Sequence, residues 1–205
     1  MAARAGHSAP YGHQRLIGVR HGTTEWSLTR RHTGRSDIPL EPEGRAQAAE
    51  VGVRLADHCF ALVLTSPLER ARETCEVAGF GEVAQVCDDL AEWDYGEMEG
   101  LTTEEIRLDR PGWDIWVDGV VGGETLEEVA RRARRIVELV CDASGDVLAF
   151  AHAHILRIIA ATWIGLEPRS GRSFSLEPAS VSVLGWERDT PVVLRWNDSG
   201  GDLLG

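Results

Sequence analysis

The sequence predicts an α/β protein with a mostly parallel sheet and an antiparallel edge. Two patterns carry this. Short apolar runs of strand length alternate with stretches whose apolar residues recur every three or four positions. Near the end two apolar runs, Val181 to Trp186 and Val192 to Trp196, flank Arg188-Asp189-Thr190-Pro191, which reads as a hairpin and hence as antiparallel strands.

The elements follow in order. Leu16 to Val19 is a short apolar run that stops at a charged tripeptide. Leu40 to Ala56 has helical spacing, with Pro42 near its start, where the missing N–H costs nothing. Phe60 to Leu64 is of strand length, and a helical pattern runs from Leu68 to about Val77. Ser66 is its expected N-cap and Pro67 its expected first residue. Val83 to Val86 suits a short strand. Leu126 to Val140 is amphipathic, with Thr125 and Glu128 spaced as a capping box. Asp146 to Ala151 reads as a buried strand and Ile155 to Trp163 as a buried helix. Alternation of this kind favours parallel pairing.

The chain of 205 residues suits one domain with a small cap, and its 43% apolar content can fill a core. Its 33 acidic against 21 basic residues give a formal charge of −12, a field that repels nucleic acid and anionic membranes. The same field repels anionic substrates, so a phosphate site must be locally basic. No apolar run approaches the roughly 20 residues of a membrane span. Residues 1–14 lack the apolar stretch of a signal peptide and read as a flexible tail before a domain over 15–205. Cys59, Cys75, Cys87 and Cys141 form no CxxC pair and read as reduced, mostly buried thiols of a cytoplasmic protein.

Three strand-to-helix junctions carry unusual groups: Val19-Arg20-His21-Gly22-Thr23-Thr24, Thr65-Ser66-Pro67-Leu68-Glu69-Arg70-Ala71 and Phe150-Ala151-His152-Ala153-His154. Ligands of open α/β sheets bind at the carboxyl ends of strands, so two histidines and two arginines distant in sequence can meet there. Arginine matches phosphate oxygens with a planar, permanently charged fork of donors. Histidine can be a nucleophile or a proton carrier.

Arg20-His21-Gly22 resembles the RHG signature of the histidine phosphatase superfamily, the phosphoglycerate mutase-like fold. Ser66-Pro67-Leu68-Glu69-Arg70-Ala71 with Thr74 resembles its SPLxRAxxT segment. Leu90-Ala91-Glu92-Trp93-Asp94-Tyr95-Gly96 with Glu99-Gly100 resembles LxExxxGxxEG, Gly123-Glu124-Thr125 its GES helix start, and Ala151-His152-Ala153-His154-Ile155-Leu156-Arg157 its SHGGxxR segment. The matches stand in family order. They imply a three-layer α/β/α sandwich with a small helical cap, placed at 93–122.

The resemblance also implies roles. His21 attacks phosphorus, Arg20, Arg70 and His152 hold the phosphoryl oxygens, and Glu92 protonates the leaving group and then helps water attack; Glu97 and Glu99 compete for that last role. An acidic pH optimum follows from a protonated Glu92. Departures stand at Thr23 (commonly Glu), Ser27 (commonly Asn) and Ala153 (commonly Gly). The Ser27 change leaves one phosphate hydrogen bond in question, while the Thr24 hydroxyl remains available. Thr33, Gly34 and Arg35 lie in a segment resembling the family's substrate loop, with Arg35 a candidate for an anionic substrate group. Ala153 is expected against the phosphate.

No cofactor or metal is implied. His152 and His154 form an H-x-H pair without further ligands, and His154 reads as a pocket wall. His7, His13, His32 and His58 read as surface residues, and Arg131 to Arg135 as a solvated helix face. Trp93, Tyr95, Trp113 and Trp116 either pack the cap or line a pocket. The resemblance is closest to broad-specificity bacterial acid phosphatases. The expected partner is a small phosphorylated metabolite, and a homodimer stays open on general grounds. Phosphomonoester hydrolysis is the leading expectation, phosphoglycerate mutase the alternative, and a non-catalytic phosphoprotein-binding member the third. No counterpart of the mutases' long insertion lies between Glu92 and His152, which favours hydrolysis.

Overall fold

The computed structural model describes residues 14–200. Most of the segment expected to form an N-terminal tail, residues 1–13, lies outside them. Six strands form one sheet in the order β3-β2-β4-β1-β5-β6. They are β1 (Leu16–Arg20), β2 (Leu62–Thr65), β3 (Gln85–Val86), β4 (Val147–Ala151), β5 (Val181–Glu187) and β6 (Thr190–Asp198). β1, β2, β3 and β4 pair in parallel, and β5 and β6 run antiparallel at one edge, as expected.

Alternation along each strand divides the core in two. Ile17, Val19, Leu148 and Phe150 face α2 (Pro42–Leu55) and α3 (Glu69–Val77), meeting Val51, Leu55 and Cys75. Leu16, Val147 and Ala149 face α6 (Leu126–Asp142) and α7 (Ala153–Trp163), meeting Val129, Ile136, Ile155 and Ile159. The result is the expected three layers. The segment 93–122 holds α4 (Thr103–Asp109) and α5 (Ile115–Asp118), with Trp93, Trp113 and Trp116 buried in the α6–α7 core. Among the described residues no helix is long and apolar enough to cross a membrane.

Local chemistry explains most element ends. Thr125 and Glu128 form the expected capping box of α6. The start of α3 differs from expectation. Leu68 occupies the N-cap position, and Asp37 Oδ1 from a distant loop accepts the Glu69 N–H at 2.8 Å. Ser66 is thereby free for another partner. Gly22 packs against Gly44 at the start of α2: a Cβ there would sit 2.4 Å from the Gly44 carbonyl oxygen, so only glycine fits. A short helix α1 (Glu25–Leu28) follows, capped by Thr24. It ends in a Schellman turn, with Arg31 N–H on Trp26 O at 2.9 Å and Arg30 N–H on Ser27 O at 3.4 Å. Arg30 takes the left-handed position at φ 57°. That conformation costs a non-glycine residue roughly 1–2 kcal/mol.

Of the four cysteines, all free, only Cys75 is buried; Cys87 and Cys141 are half-buried and Cys59 is exposed, so the expectation of mostly buried thiols fails.

Candidate active site

The ladder of the sheet sets the site. β1 pairs with β4 as Arg20 to Ala151, and His21 N–H continues it by donating to Ala151 O at 2.9 Å. His21 and His152 therefore leave neighbouring strand ends side by side, with ring centroids 5.2 Å apart. β2 lies on the other side of β4, and Ser66 N–H donates to Phe150 O at 2.9 Å.

His21 is buried, and its Nδ1 lies 2.8 Å from its neighbour's carbonyl, Gly22 O. A carbonyl only accepts, so Nδ1 carries the proton and Nε2 keeps the lone pair of a neutral imidazole. Burial first, then the charges of Arg70 and Arg20, hold this ring well below the ordinary histidine range. His152 is fully buried with Nε2 2.7 Å from Ser66 Oγ. Ser66 Oγ accepts from Leu68 N–H at 3.3 Å, which leaves its own proton for His152 Nε2. In that arrangement Nδ1–H of a neutral His152 is an open donor. Burial, Arg70 and His21 push the His152 ring well below its ordinary range as well.

Arg70 is fully buried on α3. Its Nη1 donates to Ser36 O at 2.9 Å, and its Nη2 to Thr33 O at 2.9 Å and Gly34 O at 3.0 Å. Arg20 Nη1 donates to Leu176 O. After these bonds, Arg20 Nε, Arg70 Nε and His152 Nδ1 have no partner; the only other such buried side-chain atom among the described residues is Gln14 Oε1. Buried donors are nearly always satisfied, so three orphans in one interacting cluster mark a place built for acceptors brought from outside.

Glu92 is buried across from them. Its Oε1 accepts from Trp93 N–H and Ile155 N–H and its Oε2 from His154 N–H, all at 3.0 Å. Two of these donors belong to the first turn of α7, where helix N–H groups lack internal partners. Burial opposes the charge, but the His154 side chain and backbone beside it outweigh burial and hold this carboxyl well below the usual range. Of the competing carboxylates, Glu99 accepts from Gly34 N–H and Ser36 N–H and so serves the loop, and Glu97 makes its ion pair with Arg110.

Arg20, His21, Glu92, Ser27, Thr33 and Ala153 line one cavity of about 400 Å³. Five expected contacts do not: Arg70 and His152, both fully buried, lie outside its lining, and Arg35, Gly34 and Thr24 serve other partners. Arg35 is exposed and its Nε pairs with Asp94 Oδ2 at 3.3 Å. Gly34 gives its N–H to Glu99 and its carbonyl to Arg70, so it shapes the loop. Thr24 is buried and its Oγ1 caps α1 by accepting from Ser27 N–H at 3.1 Å. Ser27, although on the cavity, returns its hydroxyl to Thr24 O at 2.8 Å.

Other residues enter unannounced. His32, expected on the surface, lines the cavity with Nδ1 2.9 Å from Leu101 O and its ring edge-on to Tyr95 and Trp113. Tyr95 lines it too, its hydroxyl 2.7 Å from His154 Nδ1. Arg132, expected on a solvated face, is buried; it donates to Ala91 O at 2.7 Å and pairs with Glu124 at 2.7 Å, pinning the loop that carries Glu92. The signal was present, since Arg132 stands three after Val129 and four before Ile136, both core residues. Among the described residues no group of three or more His, Cys, Asp or Glu side chains is placed to hold a metal.

A neutral buried imidazole, open Arg and His donors, and a carboxylate on the same cavity suit phosphoryl chemistry. The model of the histidine phosphatase superfamily, branch 1, matches residues 16–199. The chain belongs to that superfamily. It is 38% identical to an acid phosphatase of Mycobacterium tuberculosis over 84% of this chain and 87% of that one. It is 35% identical to the sedoheptulose 1,7-bisphosphatase of Saccharomyces cerevisiae, over 74% and 68% of the two chains. A solved structure of a Mycobacterium tuberculosis open reading frame superimposes with a TM-score of 0.86 at 36% identity, covering 90% of this chain and 97% of that one. In this histidine phosphatase the RHG glycine is the residue that lets the loop of His21 meet α2.

The buried imidazoles predict acid lability. A histidine held below its ordinary value stays neutral in the fold but protonates in the unfolded chain below about pH 6.5. Stability is therefore intact above that pH and falls as pH drops toward the folded value, by up to about 1.4 kcal/mol per pH unit for each such histidine. His21 and His152 both contribute, and Glu92 adds a loss only below the ordinary carboxylate value near 4.5. The expected Tm drop between pH 7 and 5 is about 5 °C or more for a chain of this size. A flat Tm across that range in scanning calorimetry would contradict the neutral-imidazole assignment.

Proposed function

We propose that the protein is an acid phosphatase-like phosphomonoesterase working through a phosphohistidine on His21. The observation that supports this most is the trio of unpartnered buried donors, Arg20 Nε, Arg70 Nε and His152 Nδ1, around a neutral His21. Phosphate supplies the acceptors they lack. His21 Nε2 forms the N–P bond as the ester P–O bond breaks, and Glu92 gives its proton to the departing oxygen. Water then attacks phosphorus, its proton passes to the Glu92 carboxylate, and the N–P bond breaks to release inorganic phosphate. The His154 side chain and backbone hold Glu92 low; a bound dianion beside it favours its protonated form. Activity is accordingly expected to favour acidic pH. A small phosphorylated metabolite is the substrate class that fits a cavity of about 400 Å³.

The test is product analysis on 3-phosphoglycerate and p-nitrophenyl phosphate at pH 5 and 7 with a chelator, with and without 2,3-bisphosphoglycerate. Phosphate release that ignores both additives is expected. Accumulation of 2-phosphoglycerate dependent on the bisphosphate would instead favour a mutase, and no turnover of either compound would overturn the reading.

A further inference from the structure

The cavity carries a cation that the steps above do not use. Arg30 lines it and is exposed, and among the described residues no hydrogen bond or ion pair holds its guanidinium. Its neighbour Arg31 also lines the cavity but is committed, donating to Gly100 O at 2.7 Å and pairing with Glu105 at 2.9 Å. Arg20, nearer the reacting groups, is tied to Leu176 O. Arg30 is thus the open positive charge of this wall.

Its backbone makes the placement informative. Arg30 holds the left-handed position that closes the Schellman turn of α1, at φ 57°. Glycine is the usual occupant, because a Cβ is disfavoured there. A basic side chain can also favour a helix C-terminus, but it could do so from the preceding turn without strain, and Arg30 bonds none of the α1 carbonyls through its side chain. Strained backbone of this kind clusters at functional sites, and among the described residues with a left-handed non-glycine backbone, Ala179, Arg188 and Asn197 included, Arg30 is the one that lines this cavity. The side chain here lines the cavity.

We propose that Arg30 receives a second anionic group of the substrate, a carboxylate or a further phosphate, while the transferred phosphoryl lies at His21. The proposal rests on the phosphatase reading and narrows its substrates to phosphate monoesters bearing another negative charge. The lining also holds Glu177, whose charge disfavours an anion beside it, while Arg30 offers the unpaired positive charge.

The experiment compares kcat/KM for 3-phosphoglycerate, fructose 1,6-bisphosphate and p-nitrophenyl phosphate in the wild type, Arg30→Gly and Arg30→Lys. Arg30→Gly removes the charge and relieves the backbone together. The ratio of kcat/KM for a doubly anionic substrate to that for p-nitrophenyl phosphate should fall about tenfold, a typical loss for one charged hydrogen bond, chiefly through KM. Tm should rise by about 2–4 °C, and Arg30→Lys should recover part of the ratio. A fall confined to 3-phosphoglycerate assigns a carboxylate, and one confined to the bisphosphate a phosphate. If wild type turns over the substrates and Arg30→Gly leaves both ratios within twofold, Arg30 has no such role. If wild type turns over none, the phosphatase reading falls and this proposal with it.

Discussion

His21→Ala lowers kcat by at least about 10⁴-fold, within the roughly 10⁶-fold loss that removal of a catalytic nucleophile can produce. Arg20, Arg70 and His152 would still gather a phosphate ester, so binding survives better than turnover. The direct readout is brief mixing with a radiolabelled phosphate ester followed by a denaturing quench. Wild type should carry an acid-labile, alkali-stable phosphoryl group, and His21→Ala none. The variant also drops one buried imidazole that must stay neutral, so its Tm should decline less between pH 7 and 5 than that of wild type. Equal labelling of both proteins would remove His21 from the mechanism.

Arg70→Ala should damage activity and fold together. Loss of one donor to the phosphoryl oxygens costs about 2.7–4 kcal/mol of transition-state stabilisation, or 10²–10³-fold in kcat. The same guanidinium bridges the carbonyls of Thr33, Gly34 and Ser36, so its removal leaves three acceptors short of a donor. An orphaned buried group costs about 1–3 kcal/mol, which corresponds to a Tm lower by several degrees. Arg70→Lys separates the two effects. It keeps the charge but loses the planar fork, so kcat/KM should stay at least about tenfold low while much of the stability returns. Arg70→Lys activity within twofold of wild type would show that Arg70 only braces the loop.

The residues proposed to carry chemistry were legible because motif position and strand-end position agree. Arg20, His21, Arg70, Glu92 and His152 each follow a recognisable string, and parallel β1, β2 and β4 bring three of those strings to one edge of the sheet. Loop residues were less legible. Arg35 looked like a substrate contact by its place beside Thr33 and Gly34, yet it lies off the cavity lining with its Nε paired to Asp94. Thr24 looked free, yet the helix behind it needed a cap. Ser66 looked like a cap, yet an acid from another loop took that task and left Ser66 for His152.

From the sequence alone came the α/β class and the six strands, which periodicity gives, and the proposed roles of Arg20, His21, Arg70, Glu92 and His152, which the family resemblance implies. Both rest on local patterns. Tertiary structure decided which polar atoms remain unpaired once folding is complete. That is a sum over neighbours from distant segments: Thr33, Gly34 and Ser36 occupy most of Arg70, Ala91 and Glu124 occupy Arg132, and nothing among the described residues occupies Arg20 Nε, Arg70 Nε or His152 Nδ1. A donor left over in a folded interior points to a ligand, and only the packed chain reveals which donors are left.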